Sequence, residues 1–305
     1  SSIRQGNAVI AIKDVSDAIL WSWHVWVTDE DINNVIEITN HQNVKYNFMP
    51  VNLGQCDGNT ITYEERSCKV KFIAGDQSKE ITIKQLANVI ATGSNAPFYQ
   101  WGRKDPLYPS NGMGNTTKIW YDKEGIPSTA NPMKGTFSAG NDCIKNCILN
   151  PNLMHNRYNG DYTYYNLWSA DNKTTSANDN PVNKTIYDPC PVGFKLPASN
   201  AFTGFTTTGE SVSSSTQVNG TWSSSEKGWY FYTNSEKTQS IFFPALGYRS
   251  YSTMRPGSIG TQGCFWSAHP VAKGNNYYLR TSSVDVQPTY MVDRGFGYAL
   301  RPCQD

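Results

Sequence analysis

A doubled pattern towards the C-terminus constrains the fold more than anything else in the chain. The stretch 185–303 opens with TIYDPCPVGFKLP (185–197) and closes with GFGYALRPC (295–303). Between them lie two similar units. The first is GTWSSSEKGWYFYTNSEKTQSIFFPALGYR (220–249), the second GCFWSAHPVAKGNNYYLRTSSVDVQPTYMVDRGFGYALRP (263–302). Each begins with Gly and, soon after, Trp-Ser, runs through paired aromatics, and ends near Gly-Tyr and an Arg. Aromatic and polar residues alternating between clusters of Gly, Asn and Ser predict short antiparallel strands. The units are expected to pack as successive hairpins or as neighbouring strands of one small sheet.

The frame IYDPCP-x-GF-x-LP, followed by GYR, W-S, YYL and G-x-x-x-R-x-C, resembles the Fibrobacter succinogenes major paralogous domain. That domain is common in exported surface proteins of the Bacteroidota and has a C-type-lectin-like fold. AIKDVSDAILWSWHVWVTD (11–29) and FYQWGRKDP (98–106) resemble the same family, so the likeness covers most of the chain in scattered blocks. Two positions depart from the family pattern, Pro302 before the final cysteine and Ala268 where a second Ser is common. Proline cannot donate to a ladder, so Pro302 counts against terminal strand pairing. A cysteine at each end of the frame suggests a closing disulfide, Cys190 to Cys303, which would act by limiting the unfolded chain. The resemblance implies a β-rich α+β fold: one C-type-lectin-like domain over 1–305 with short helices and long loops. A hairpin insertion is expected at about 55–90, and the family-defining half at 185–305. It further implies a cell-surface adhesin, a subunit of the fimbrial tip, extracellular or at the outer membrane. The partners would be a glycan or protein on a host or bacterial surface, and other pilus subunits.

Composition agrees with export. Charged residues are 17% of the 305 and aromatics 13%, the balance of an extracellular β-rich protein with bulky material for a core. A net charge of +1 leaves no electrostatic footprint for nucleic acid. No apolar run is long enough to cross a bilayer. The chain starts at Ser1 without a signal peptide, as expected of a mature or trimmed piece of a longer precursor. Seven cysteines leave at least one unpaired within the chain. Cys143 and Cys147 are spaced i, i+4, and Cys56 and Cys68 could flank a hairpin. Zinc is the sharper reading of such pairs, but the spacing is not C-x-x-C and only His155 lies near. Local disulfides in an oxidising compartment are the expectation, and no metal or cofactor.

Residues 7–28 read as a hairpin, with Trp21, Trp23 and Val25 on one face and Ser22, His24 and Trp26 on the other. His24, set among tryptophans on a strand, reads as structural rather than as a catalytic base. Residues 29–48 read as irregular, leading to a short strand at VNLG (51–54). Residues 63–85 alternate cleanly about Gly75-Asp76, a second hairpin. Ser94 is placed as the cap of a helix containing Phe98, Tyr99 and Trp101. Arg103, Lys104 and Asp105 then make a solvated or salt-bridged corner, and no Gly-rich loop supports a phosphate site. Residues 106–183 show no sustained period. Within them 141–149 reads as a short helix and NLWSADN (166–172) as a strand. Ser199 is expected to cap a second helix over 199–205.

Catalytic signatures are missing: there is no H-E-x-x-H, G-x-S-x-G or P-loop pattern, and no carboxylate pair stands out. The sugar-binding calcium motifs of true C-type lectins are also missing, so Asp179, Asn180 and Asn183 read as a polar loop. Formylglycine-generating enzymes share the lectin-like fold and use a reactive cysteine pair. Such chemistry would need Cys264 exposed beside another thiol, and a lone cysteine beside aromatics reads as a buried small hydrophobe. The chain therefore reads as a binder and not an enzyme. Gly247, Trp266, Tyr278, Gly297 and Arg301 are framework positions. Tyr251, Arg255, His269, Tyr290 and Asp293 fall between them and are expected to be exposed on one side as the ligand face. The rival reading is a structural pilus or envelope subunit with no external ligand.

Overall fold

Period-two segments form strands throughout the computed structural model, which describes residues 5–56, 61–90, 96–107, 120–122, 124–130, 133–135, 141–155, 167–171, 176–271 and 274–305. The protein is β-rich, with one α-helix and two short 3-10 helices among the described residues. The first hairpin forms as read, from β1 (Gly6–Lys13) and β2 (Ile19–Val27), with Val9 opposite His24 and Ile10 opposite Trp23. Asp14 closes its turn by accepting the Ser16 and Ala18 N–H groups at 2.8 and 2.9 Å. Residues 29–48, read as irregular, contain a second hairpin of β3 (Ile36–Thr39) and β4 (Lys45–Phe48). Asn43 takes φ 62° in its turn, a conformation that asparagine tolerates. VNLG forms no strand, and only the Leu53 N–H reaches across, to the Leu300 carbonyl at 3.0 Å.

The hairpin at 55–90 is a long ribbon. β5 (Ile61–Tyr63) pairs with β8 (Asn88–Ile90) at its base, and β6 (Arg66–Ala74) with β7 (Gln77–Gln85) beyond. Gly75 lies at φ 60°, as the first central residue of a II′ turn must. The helix expected around Phe98 is instead β9 (Tyr99–Gln100), and Ser94, its cap, lies outside the described residues. β10 (Trp120–Tyr121) pairs with β11 (Pro127–Ser128). The cysteine-bearing helix forms as α1 (Asn141–Leu149), between parallel β12 (Met133–Gly135) and β13 (Leu153–His155). Of NLWSADN, Asn166 and Asn172 lie outside the described residues, and the rest makes one bridge, Ser169 to Lys184.

The doubled pattern is a doubled structure. The first unit is a three-stranded meander of β15 (Gly220–Ser223), β16 (Gly228–Tyr232) and β17 (Ser240–Pro244), preceded by β14 (Phe194–Lys195). It ends in β18 (Tyr248–Arg249), which pairs with β19 (Pro256–Gly257). The second is a meander of β20 (Gly263–Pro270), β21 (Asn275–Thr281) and β22 (Val286–Asp293), and it ends in β23 (Gly297–Tyr298). The two Gly-Tyr endings meet: Arg249 lies opposite Gly297 in the sheet β19-β18-β23-β9. Gly247 sits at φ 74°, and a Cβ there would stand 2.2 Å from the Gly257 carbonyl oxygen, so only glycine fits.

β24 (Cys303–Gln304) lies between β14 and β4 in the order β14-β24-β4-β3. The pairing that Pro302 spoke against therefore forms. Pro302 stands just outside the strand, where no donor is needed, and its carbonyl accepts the Met49 N–H at 2.9 Å. The expected Cys190–Cys303 bond is not made. No disulfide joins any of the seven cysteines, so the local bonds expected at Cys56–Cys68 and Cys143–Cys147 are likewise not made. The ends of the frame are joined by strand pairing, Lys195 opposite Cys303, instead of by sulfur. Asp188 and Lys184 complete the closure. The Asp188 carboxylate accepts the Cys190 and Leu196 N–H groups, and Lys184 donates to the Cys190, Pro191 and Phe194 carbonyls.

Two aromatic clusters form the core. In one, Phe205 stacks on Phe231 with ring centroids 3.9 Å apart, and Phe243 meets both of them, and Phe202, edge-on. The other gathers Trp101, Trp168, Trp266 and Tyr298, and the Trp266 indole donates to the Tyr99 carbonyl at 2.9 Å. Residues 199–205 form a 3-10 helix with Ala198, not Ser199, at the cap position. The Ser199 hydroxyl turns inwards, to the Asn178 carbonyl and the His269 ring.

Candidate functional site

The turn after β18 is pinned from within. Met254 takes φ 59°, is buried, and its carbonyl accepts from Arg249 Nη1 at 2.7 Å. That inward fold leaves Arg255 exposed and Tyr251 half-buried, its ring edge-on to Phe296 at 4.8 Å. Asp293 ends β22 with its carboxylate accepting the Gly295 N–H at 2.8 Å. A Cβ at Gly295 would lie 3.0 Å from that carboxylate and 3.1 Å from the Tyr251 ring, so Tyr251 and Asp293 flank the same glycine. Tyr251 and Asp293 are thus brought together, and Arg255 is exposed on the same turn as Tyr251.

Tyr290 is 45% exposed but stands apart from them. It lies three residues before Asp293 on one strand, so the pleat sends the two side chains to opposite faces. Its ring meets Tyr278 at 5.7 Å, and the Arg280 guanidinium sits 5.9 Å from the ring centre. Arg280 extends this second patch, whereas Met291, 49% exposed, lies on the other face of β22 with Asp293. The sequence reading left Arg280 out, although its guanidinium lies over the Tyr290 ring.

His269 does not belong to any surface. It is 1% exposed, its Nδ1 lies against the Ser199 N–H and hydroxyl, and burial pushes its pKa down to about 4. The Ala-His-Pro segment lies on β20, every residue of which is buried, so either face of the strand would have put its histidine inside. His24 is structural as read, held between the Asn7 side-chain oxygen and the Tyr99 hydroxyl, each at 2.8 Å. Cys264 is 1% exposed with its pKa pushed up to about 12 by burial, so it is an inert thiol. The exposed partner thiol that formylglycine-type chemistry requires is therefore not offered by Cys264.

The trio at 103–105 is not solvated. Lys104 Nζ lies 2.5 Å from Asp105 Oδ2 and donates to the Ser22 carbonyl, while the Ser22 hydroxyl donates to Asp105, all of it buried. The ammonium is consumed by these partners and has nothing left for a phosphate. Asp179 is similarly occupied by neutral donors, Asn40, Tyr46 and Asn200, so it ties loops together. Among the described residues no three His, Cys, Asp or Glu side chains converge on one point. Comparison of the chain with protein-family models, with curated proteins and with solved structures returns no match.

Proposed function

We propose that this chain is a cell-surface adhesin with a C-type-lectin-like domain, a subunit of a fimbrial tip, that binds a glycan or protein through its C-terminal loops. One observation carries the reading: Tyr251, on the turn after β18, and Asp293, at the end of β22, flank the same glycine, with the exposed Arg255 on the same turn as Tyr251. Such side chains on a fixed frame are the usual anchors of an interface. The sequence frame at 185–303 supports the lectin-like fold, and the low charge content supports an extracellular place. Alanine at Tyr251, Arg255 or Asp293 is expected to weaken ligand binding by about 2 kcal/mol at the strongest position, with Tm unchanged. A glycan array and a screen of host and bacterial surface proteins supply the ligand. Should Tyr290→Ala abolish binding while the three others bind as the parent does, the ligand sits on the opposite face of β22.

A structural subunit is the second reading, favoured by the first hairpin. Val9, Ile12, Leu20, Trp23 and Val25 are all exposed there, on a two-stranded sheet that pairs with no other described strand. Exposed apolar side chains so close together suit contact with another subunit. Concentration-dependent assembly in sedimentation, lost in Trp23→Ser, would favour it.

A further inference from the structure

Cys143 and Cys147 lie one turn apart on α1 and look into the same small cavity, about 50 Å³, whose other wall includes Trp101, Arg103 and Asp105. Arg103 is held from the segment that leaves the helix, donating to the Pro151 carbonyl at 2.8 Å and to the Leu153 carbonyl. It is 4% exposed, yet it makes no ion pair with a carboxylate among the described residues. Its Nε, the Trp101 indole N–H and Asp105 Oδ1 are buried there without a hydrogen-bond partner among the described residues. A buried guanidinium surrounded by neutral carbonyls needs a counter-charge. Asp105 is already paired with Lys104, so the groups left in the cavity wall that can carry a negative charge beside Arg103 are the thiols of Cys143 and Cys147. The Cys143 hydrogen bond, with Arg103 and His155 behind it, holds Cys147 well below the ordinary thiol range, and the same bond pushes Cys143 up. Both cysteines are half-buried, so a small reagent can reach them.

The geometry points to a thiol–disulfide exchange site, in which Cys147 attacks a disulfide-bearing small molecule or protein and Cys143 resolves the product. Residues four apart on a helix have Cα atoms about 6 Å apart, within the span of a disulfide. The Cys147 thiolate attacks one sulfur of RSSR, the S–S bond breaks, and RS⁻ leaves and takes a proton. Cys143 then gives up its proton, and its sulfur attacks Cys147, forming the Cys143–Cys147 bond and releasing the second thiol. The protein loses two electrons, and RSSR gains them as two RSH. Oxidation also removes the counter-charge of Arg103, which couples the redox state to the packing beneath α1.

The test uses the reduced full chain and oxidised glutathione. At pH 7 Cys147 should be modified about tenfold faster than Cys56 and Cys68, because an ordinary thiol is mostly protonated there. The parent should end with Cys143 and Cys147 bonded to each other, shown by the loss of two hydrogens from the peptide carrying both. Cys143→Ser should stop at a glutathione adduct on Cys147, and Arg103→Met should move the pH midpoint of Cys147 alkylation upwards. The parent's own alkylation profile needs no variant. A midpoint near that of a free cysteine, about 8.5, or no rate advantage over Cys68, would overturn the proposal.

Discussion

Arg301 shows how a side chain can be legible in place and not in its contacts. Its place in the closing GYALRPC marked it as framework, but not what it does. It is buried, donating to Asn52 Oδ1 at 2.7 Å and to the Met49, Pro50 and Phe242 carbonyls, with its guanidinium 4.4 Å from the Phe243 ring centre. Burial lowers its pKa to about 9, which leaves it charged at neutral pH. His269 is the opposite case, a residue chosen for a surface and found in the core. Its folded pKa of about 4 lies below the 6.5 of an unconstrained histidine, so the unfolded chain binds a proton first as pH falls. Stability is therefore full above pH 6.5 and is lost as pH drops towards 4. By pH 4.5 the loss due to this one group is about 2–3 kcal/mol. Denaturant unfolding of the parent and of His269→Gln, at pH 7.5 and 4.5, should show the variant losing less stability by that amount. Equal losses in both would mean that the ring is hydrated.

At the scale of elements, the hairpins were readable because their period is local. Cys68, Val70 and Phe72 stand opposite Ile83, Ile81 and Lys79, one face of a ribbon that the alternation alone specifies. β6 and β7 pair only with each other, and most of their residues are exposed. Replacing residues 66–85 with a short Gly-Ser turn is therefore expected to shift Tm by no more than about 3 °C. A much larger fall in a thermal melt would show that the ribbon carries core contacts. Short elements fared worse. β9 has two residues, too few for any period, and its strand state comes from pairing with Gly297 and Tyr298, far along the chain. The 199–205 helix is 3-10 with Ala198 at its cap position, and its serine is drawn inwards to His269.

At the scale of the molecule, the two ends of the chain share one sheet. Cys303 lies opposite both Lys195 and Phe48, and Arg301 reaches back to Met49, Pro50 and Asn52. The half at 185–305 thus lacks its neighbours when cut free: β4 beside β24, β9 beside β23, and the Arg301 acceptors. Expressed alone, that half should show no cooperative unfolding transition by circular dichroism, whereas the full chain should show one. A sharp transition for the fragment would make the N-terminal sheet dispensable. By itself the sequence determined the β-rich class, the two hairpins, the α1 helix and the doubled antiparallel pattern, though not its division into two three-stranded meanders, because period and turn chemistry act over a few residues. Tertiary structure alone decided which polar groups are inside. His269, Arg103, Lys104 and Asp105 look like surface residues by type, yet partners tens or hundreds of residues away bury them. Only packing sets Cys147 and Arg103 around one cavity, and only packing brings Tyr251 and Asp293 together on the face of β22 away from Tyr290. Burial and charge pairing are properties of contacts between distant segments, and no local pattern encodes them.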